Sequence, residues 1–263
     1  MLFRSVSFTS YTYDVVLDLY FAQARFYDQN TRRFISIDPI KDGVNWYAYC
    51  GNNPVVFVDP SGLVIVFIDP GHGGSELGAR GLLVLPTRDL PGRPFIPLLL
   101  NEKDMNLDIA QRVSDILEAN DITVIMSRTT DVDILPDERA KLANESNADL
   151  FVSIHHNSSS PFKSGTMVIY PLLERHGERS DISKQIAENI NNLVSTNTGL
   201  KNLGVSESNL RVLNLTNMPA ILTETGYMGT RDIQFLLMPE NRQKVAESIA
   251  EGIMSYVSTL TCK

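Results

Sequence analysis

An α/β fold is predicted for this chain of 263 residues: a central twisted sheet with helices on both faces, preceded by a short β-rich segment. Three observations predict it. From position 64 onward, strand-like and helix-like periodicities alternate, the pattern of a sheet covered by helices. The first 63 residues are a different kind of sequence, for they hold 13 of the 21 aromatic residues, no Glu and one Lys, Lys41. The composition, 43% hydrophobic and 21% charged, belongs to a folded globular protein. No apolar run approaches the ~18 residues of a spanning helix, so no membrane span is expected. A formal net charge of −8 provides no basic field for a phosphate backbone, which speaks against nucleic acid as a partner. Cys50 and Cys262 form neither a CxxC pair nor a disulfide framework.

The boundary between the two kinds of sequence falls after Leu63, giving segments 1–63 and 64–263. The first reads as short strands rich in Tyr, Phe and Val, separated by turn signals at Asp28-Gln29-Asn30, Gly51-Asn52-Asn53-Pro54 and Asp59-Pro60-Ser61-Gly62. The second opens with Val64 to Ile68, a β-branched run suited to burial on both faces of a sheet. Further strands are expected at 122–127, 150–154, 166–170 and 219–223. Between them, Met105, Ile109, Val113, Ile116 and Leu117 recur at helical spacing behind Asn101, a candidate N-cap. Ile182, Ile186, Ile190, Leu193 and Val194 mark a second helix that stops at Gly199. Val245, Ile249, Ile253 and Val257 mark a last one beginning near Pro239.

Ligands of such sheets gather beyond the carboxyl ends of the strands, and chemistry-bearing residues follow three of these ends. Asp69-Pro70-Gly71-His72-Gly73-Gly74 follows the first strand, His155-His156-Asn157 the 150–154 strand, and Glu224-Thr225-Gly226 the 219–223 strand, while Glu102 opens the first helix. Taken singly, each has a plain alternative: His72 a turn residue, Glu102 an acid favoured by the helix dipole, His155 a core histidine, Glu224 a surface acid. Together they supply two imidazoles and two carboxylates, the material of a catalytic zinc with an open fourth position. The fourth histidine, His176, lies in the polar run ERHGERS and reads as a solvated loop residue.

The segments VIVFIDPGHGG, NEKDMNLDIAQRV, VIMSRTTD, ERAKLANESNADLFVSIHHN, LRVLNLTNMPAILTETGYM and PENRQKVAESIAEGI resemble, in order, the zinc-dependent N-acetylmuramoyl-L-alanine amidases of the amidase-3 family. That resemblance spans residues 64–256 and implies zinc as cofactor, peptidoglycan as substrate and action at the bacterial cell wall. It implies His72, Glu102 and His155 as metal ligands and Glu224 as catalytic acid/base. Two departures leave rivals standing. The family carries a small residue where this chain has His156, and an apolar, Pro-rich insertion at 82–100 separates His72 from Glu102, with Glu76 as the alternative carboxylate. Strand alternation and the family position favour His155; the match at the helix start favours Glu102.

The run from Leu19 to Leu63, closing on Asp59-Pro60-Ser61-Gly62-Leu63, resembles the carboxyl-terminal end of an Rhs repeat-associated core, the shell of polymorphic secreted toxins. In that family a pair of aspartates, here Asp38 and Asp59, cuts the chain after the Leu; each also precedes a proline and reads as a plain turn residue. The amino terminus places Asp14 and Asp18 where a signal peptide carries its apolar core, so export by another route is expected. Two competing readings are a domain that only binds peptidoglycan and a self-cleaving toxin fragment. The first has no use for Glu224, and a purified chain that keeps the full 29.3 kDa of its sequence would speak against the second.

Overall fold

The computed structural model describes residues 3–4, 12–14, 17–22, 25–28, 30, 33–35, 64–86, 95–158 and 163–261. The chain divides into two compact units, one of residues 1–65, 117–123 and 253–263, the other of 66–116 and 124–252. The first carries an antiparallel meander of β1 (Phe3–Arg4), β2 (Thr12–Asp14), β3 (Leu19–Ala22), β4 (Arg25–Asp28) and β5 (Arg33–Phe34). The turn expected at Asp28 is present: the Asn30 amide donates to Asp28 Oδ1 at 2.8 Å. The turn signals at 51–54 and 59–62, together with Asp38, Cys50 and Cys262, lie outside the described residues.

After this meander come β6 (Ile65–Pro70), a hairpin of β7 (Arg80–Pro86) and β8 (Phe95–Asn101), α1 (Glu102–Glu118), β9 (Thr123–Met126), α2 (Pro136–Glu145) and β10 (Leu150–Asn157). Then follow β11 (Thr166–Pro171), α3 (Leu173–His176), α4 (Glu178–Thr198), β12 (Asn202–Ser208), α5 (Arg211–Asn214), β13 (Ala220–Tyr227), α6 (Asp232–Leu237) and α7 (Pro239–Thr261). Six strands form one mixed sheet in the order β12-β11-β13-β10-β6-β9, with β10 parallel to both neighbours and β11 antiparallel to β13. The expected architecture, a central sheet with helices on both sides, is therefore observed.

The helical stripes face inward as their spacing predicts. Ile109 and Val113 of α1, Ile186, Ile190 and Val194 of α4, and Val245 and Ile249 of α7 are buried, as are Phe67, Ile68, Phe151, Ile154 and Ile221 of the central strands. Each such side chain contributes roughly 1.5–3 kcal/mol by leaving water. Phe67 and Phe151, register partners across β6 and β10, stack with ring centroids 5.8 Å apart. Gly199 ends α4 in the left-handed conformation, φ 76°, its N–H returning to Ser195 O at 2.9 Å.

Several expectations need adjusting. β10 and β13 run on past the expected ends at 154 and 223, because the parallel pairing continues to Asn157 and Tyr227; His155 and Glu224 are strand residues, not loop residues. Asn101 closes β8, and its side-chain amide donates to Asp104 Oδ2 at 3.0 Å. The described parts of the 82–100 insertion belong to the antiparallel pair β7–β8, in which the partners Leu82 and Leu99 are both exposed. His176 ends α3 with Nε2 2.8 Å from Asn214 Oδ1, so it is a helix residue with a partner rather than a solvated loop residue.

A buried ion pair anchors the end of β6. Asp69 meets Arg139 Nη1 at 2.6 Å and accepts hydrogen bonds from Ser127 and Ser153. Arg139, rising from α2, also donates to Pro70 O at 2.7 Å and His72 O at 2.8 Å. Arg139→Met should leave an uncompensated carboxylate in the interior and cost about 3–5 kcal/mol. Urea unfolding would read this as a lower midpoint at unchanged slope; an unaltered midpoint would mean the pair anchors nothing.

Candidate metal centre

Three chain segments converge at the carboxyl edge of the sheet. His72 lies in the turn after β6, Glu102 begins α1, and His155 lies near the end of β10. One potential ligand atom from each falls within 4.8 Å of the others, the metal-capable cluster found among the described residues. Glu102 lies between the imidazoles, with His155 Nδ1 2.9 Å from Oε1 and His72 Nε2 3.2 Å from Oε2. The two rings meet edge to face with centroids 4.8 Å apart.

The Gly-rich turn is shaped by this convergence. His72 itself takes the left-handed conformation, φ 58°, uncommon for a residue with a Cβ. A Cβ on Gly71 would stand 2.1 Å from His155 Nε2, so only glycine lets the backbone pass that ring. At Gly78, φ 67°, a Cβ would stand 2.6 Å from Glu102 Oε2. The turn is held from below by Arg128, which donates to Pro70 O, Gly71 O and Lys103 O at 2.8–3.0 Å. The loop after β9 holds it from the side, for Gly74 and Ser75 donate to Asp131 and Asp133 at 2.8 and 2.9 Å.

Electrostatics separate the buried Glu102 from the half-buried Glu224. Burial alone would raise the Glu102 carboxyl, but hydrogen bonds and charge from His155 and His72 outweigh it and hold the group well below the usual carboxylate range. The Ala79 N–H at 2.7 Å and the His156 N–H at 3.1 Å also donate to it. Burial likewise depresses the His72 imidazole, yet Glu102 and Glu76 together raise it. Glu224 has no such support. Burial pushes its carboxyl up to about 7, with His155 lowering it and Glu102 raising it by smaller amounts, and its Oε2 is buried without a hydrogen-bond partner. Glu224 is the register partner of His155 across the parallel β10–β13 pair, so both side chains leave the same face of the sheet side by side.

The rivals fall elsewhere. Glu76 is largely exposed and lies on the outer side of His72, 3.1 Å from Nδ1. His156 is buried, with Nδ1 2.7 Å from Asn106 Oδ1, and burial lowers its imidazole to about 4. Asn106, Arg128 and Arg139 also serve the site without having stood out in the sequence, although all three lie within motifs that carry the family resemblance. No local signal marks them, because the turn they hold lies 57–70 residues away for the two arginines and 35 for Asn106.

Two imidazoles and a carboxylate thus meet at the carboxyl edge of a mixed α/β sheet, in a cluster that could hold a metal ion, with a second glutamate beside them. The chain belongs to the N-acetylmuramoyl-L-alanine amidase family, whose model matches residues 66–255. It is 33% identical over 195 residues to the amidase LytC of Bacillus subtilis, covering 73% of this chain and 35% of that protein. It is 31% identical to the germination-specific amidase of the same organism, covering 73% and 79%. Among solved structures, an N-acetylmuramoyl-L-alanine amidase from Clostridium difficile 630 superposes with a TM-score of 0.63 at 34% identity, covering 74% of this chain and 97% of that one. The chain is thus an amide hydrolase of the cell-wall amidase type. Among the described residues no helix is long and apolar enough to cross a membrane.

Proposed function

We propose that this hydrolase is zinc-dependent and cleaves the amide joining the lactyl group of N-acetylmuramic acid to L-alanine of the peptidoglycan stem, with His72, Glu102 and His155 as ligands and Glu224 as acid/base. The observation that carries the reading is the lateral pairing of His155 with Glu224, one carboxylate inside the cluster and the other free beside it. The donor set fits: two imidazole nitrogens and one carboxylate oxygen are the protein ligands of catalytic zinc in several hydrolase classes. Zinc held there supplies a Lewis acid for the scissile carbonyl and for an attacking water. Glu224 would take the proton of that water and return it to the departing amine as the C–N bond breaks, a role open to a carboxylate whose Oε2 has no hydrogen-bond partner. Glu102 stays ionised, and Glu76 steadies the outer nitrogen of His72. Purified chain should contain about one zinc per molecule, lose activity on sacculi when treated with a chelator and regain it with zinc. A zinc-loaded chain with no bound metal would refute the reading.

The catalytic unit in this proposal is residues 64–263, since every proposed site residue lies beyond Val64. A chain starting at Val64 should remain soluble and release peptide at a rate within a few-fold of the full chain. An inactive or insoluble truncation, with the full chain active, would make the first segment part of the catalytic fold. The likeness of residues 19–63 to the end of an Rhs core supports delivery as a toxin domain. The Asp38 and Asp59 cut after Leu63 belongs to the same proposal, and an intact mass of 29.3 kDa for purified full-length chain would contradict it.

A further inference from the structure

Behind Glu102 lies a buried polar pair that the proposed chemistry does not use. Asn106 stands one turn along α1 from Glu102, and His156 follows His155 on β10; their relative exposures are 0% and 2%. We propose that Asn106 and His156 are positioning residues that lock the Glu102 carboxylate in its orientation and thereby tighten the hold of the centre on its metal. The proposal rests on the assignment of His72, Glu102 and His155 as ligands.

Hydrogen-bond bookkeeping fixes how the pair works. Gly71 O accepts only, so the group of Asn106 that reaches it at 3.0 Å is the amide nitrogen. That leaves Asn106 Oδ1 facing His156 Nδ1 at 2.7 Å, and an oxygen that only accepts requires the proton on Nδ1. The same Asn106 nitrogen lies 3.4 Å from Glu102 Oε1, and the His156 backbone N–H donates to that oxygen at 3.1 Å. Glu102 Oε1 is thus approached from two sides by groups bonded to one another. Through Gly71 O the pair is also tied to the turn that passes the His155 ring.

The cost of keeping imidazole here argues for a specific use. His156 Nε2 is buried with no hydrogen-bond partner, a penalty that an apolar side chain would avoid. What an apolar side chain lacks is the Nδ1–H that orients Asn106. Outer partners of this kind are typically worth ~10–100-fold in metal affinity.

The test measures the zinc dissociation constant of the full chain by competition with a chelator, the absorption bands of the cobalt-substituted protein, and the melting of the metal-free protein. His156→Ala and Asn106→Leu should each weaken zinc binding by roughly 10–100-fold and shift the cobalt bands, while the metal-free proteins still melt cooperatively. His156→Asn places an amide N–H near the position of Nδ1 and should recover most of the lost affinity. Asn106→Leu is the independent arm should His156→Ala fold poorly, since leucine is a good helix former. Wild-type affinity in either lesion, or a His156→Asn protein as weak as His156→Ala, would overturn the proposal. Failure of the wild-type chain to bind zinc, or full zinc retention by His155→Ala, would instead overturn the ligand assignment on which it rests.

Discussion

Glu224→Gln should retain zinc and lose turnover. Glutamine keeps the size and hydrogen-bonding reach of the side chain but cannot accept a proton, so release of peptide from muropeptides should fall by roughly 10²–10⁴-fold, the usual worth of positioned proton transfer. The structure makes the separation of binding from turnover a sharp expectation. Glu224 stands outside the His72–Glu102–His155 cluster, yet pairs laterally with His155 on the neighbouring strand. The glutamine also removes an ionisable group whose charged form burial disfavours, so the folded protein should be no less stable. Loss of zinc in this variant would make Glu224 a ligand; full activity would place the proton elsewhere.

His155→Ala should lose both metal and activity. Two of the three proposed ligands remain after the substitution, and Glu102 forfeits the partner 2.9 Å from its Oε1. Zinc content after dialysis should fall to a trace and turnover with it. His156→Ala, by contrast, should still carry zinc when the metal is supplied in excess, because its ring runs to Asn106 rather than into the cluster. The opposite pattern across these two variants would move the ligand by one residue along β10.

Much of this was legible in the sequence for physical reasons. The β-branched run at 64–68 and the stripes on α1, α4 and α7 are bulk burial patterns, and burial patterns survive in one dimension. The candidate site residues were legible because chemistry concentrates at the carboxyl ends of strands in α/β sheets. What stayed hidden depends on partners distant in sequence. Arg139 reaches Asp69 across 70 residues, and His156 finds Asn106 across 50. The extension of β10 through His155 was hidden too, because His155, His156 and Asn157 carry little strand propensity; parallel pairing with β13 extends the strand through them. The hairpin at 80–101 hid for the opposite reason, since its apolar, Pro-rich composition reads as insertion until the register of Arg80 with Asn101 closes it beside Glu102.

The most direct test of the zinc amidase reading is the mass of the products released from purified sacculi by the full chain. The arrangement predicts stem peptides with a free amino group on L-alanine and glycan strands whose muramic acids carry an unsubstituted lactyl carboxyl, with formation of both abolished by chelation and restored by zinc. Glycan fragments, peptides cut at any other bond, or the same products formed undiminished in excess chelator would contradict it.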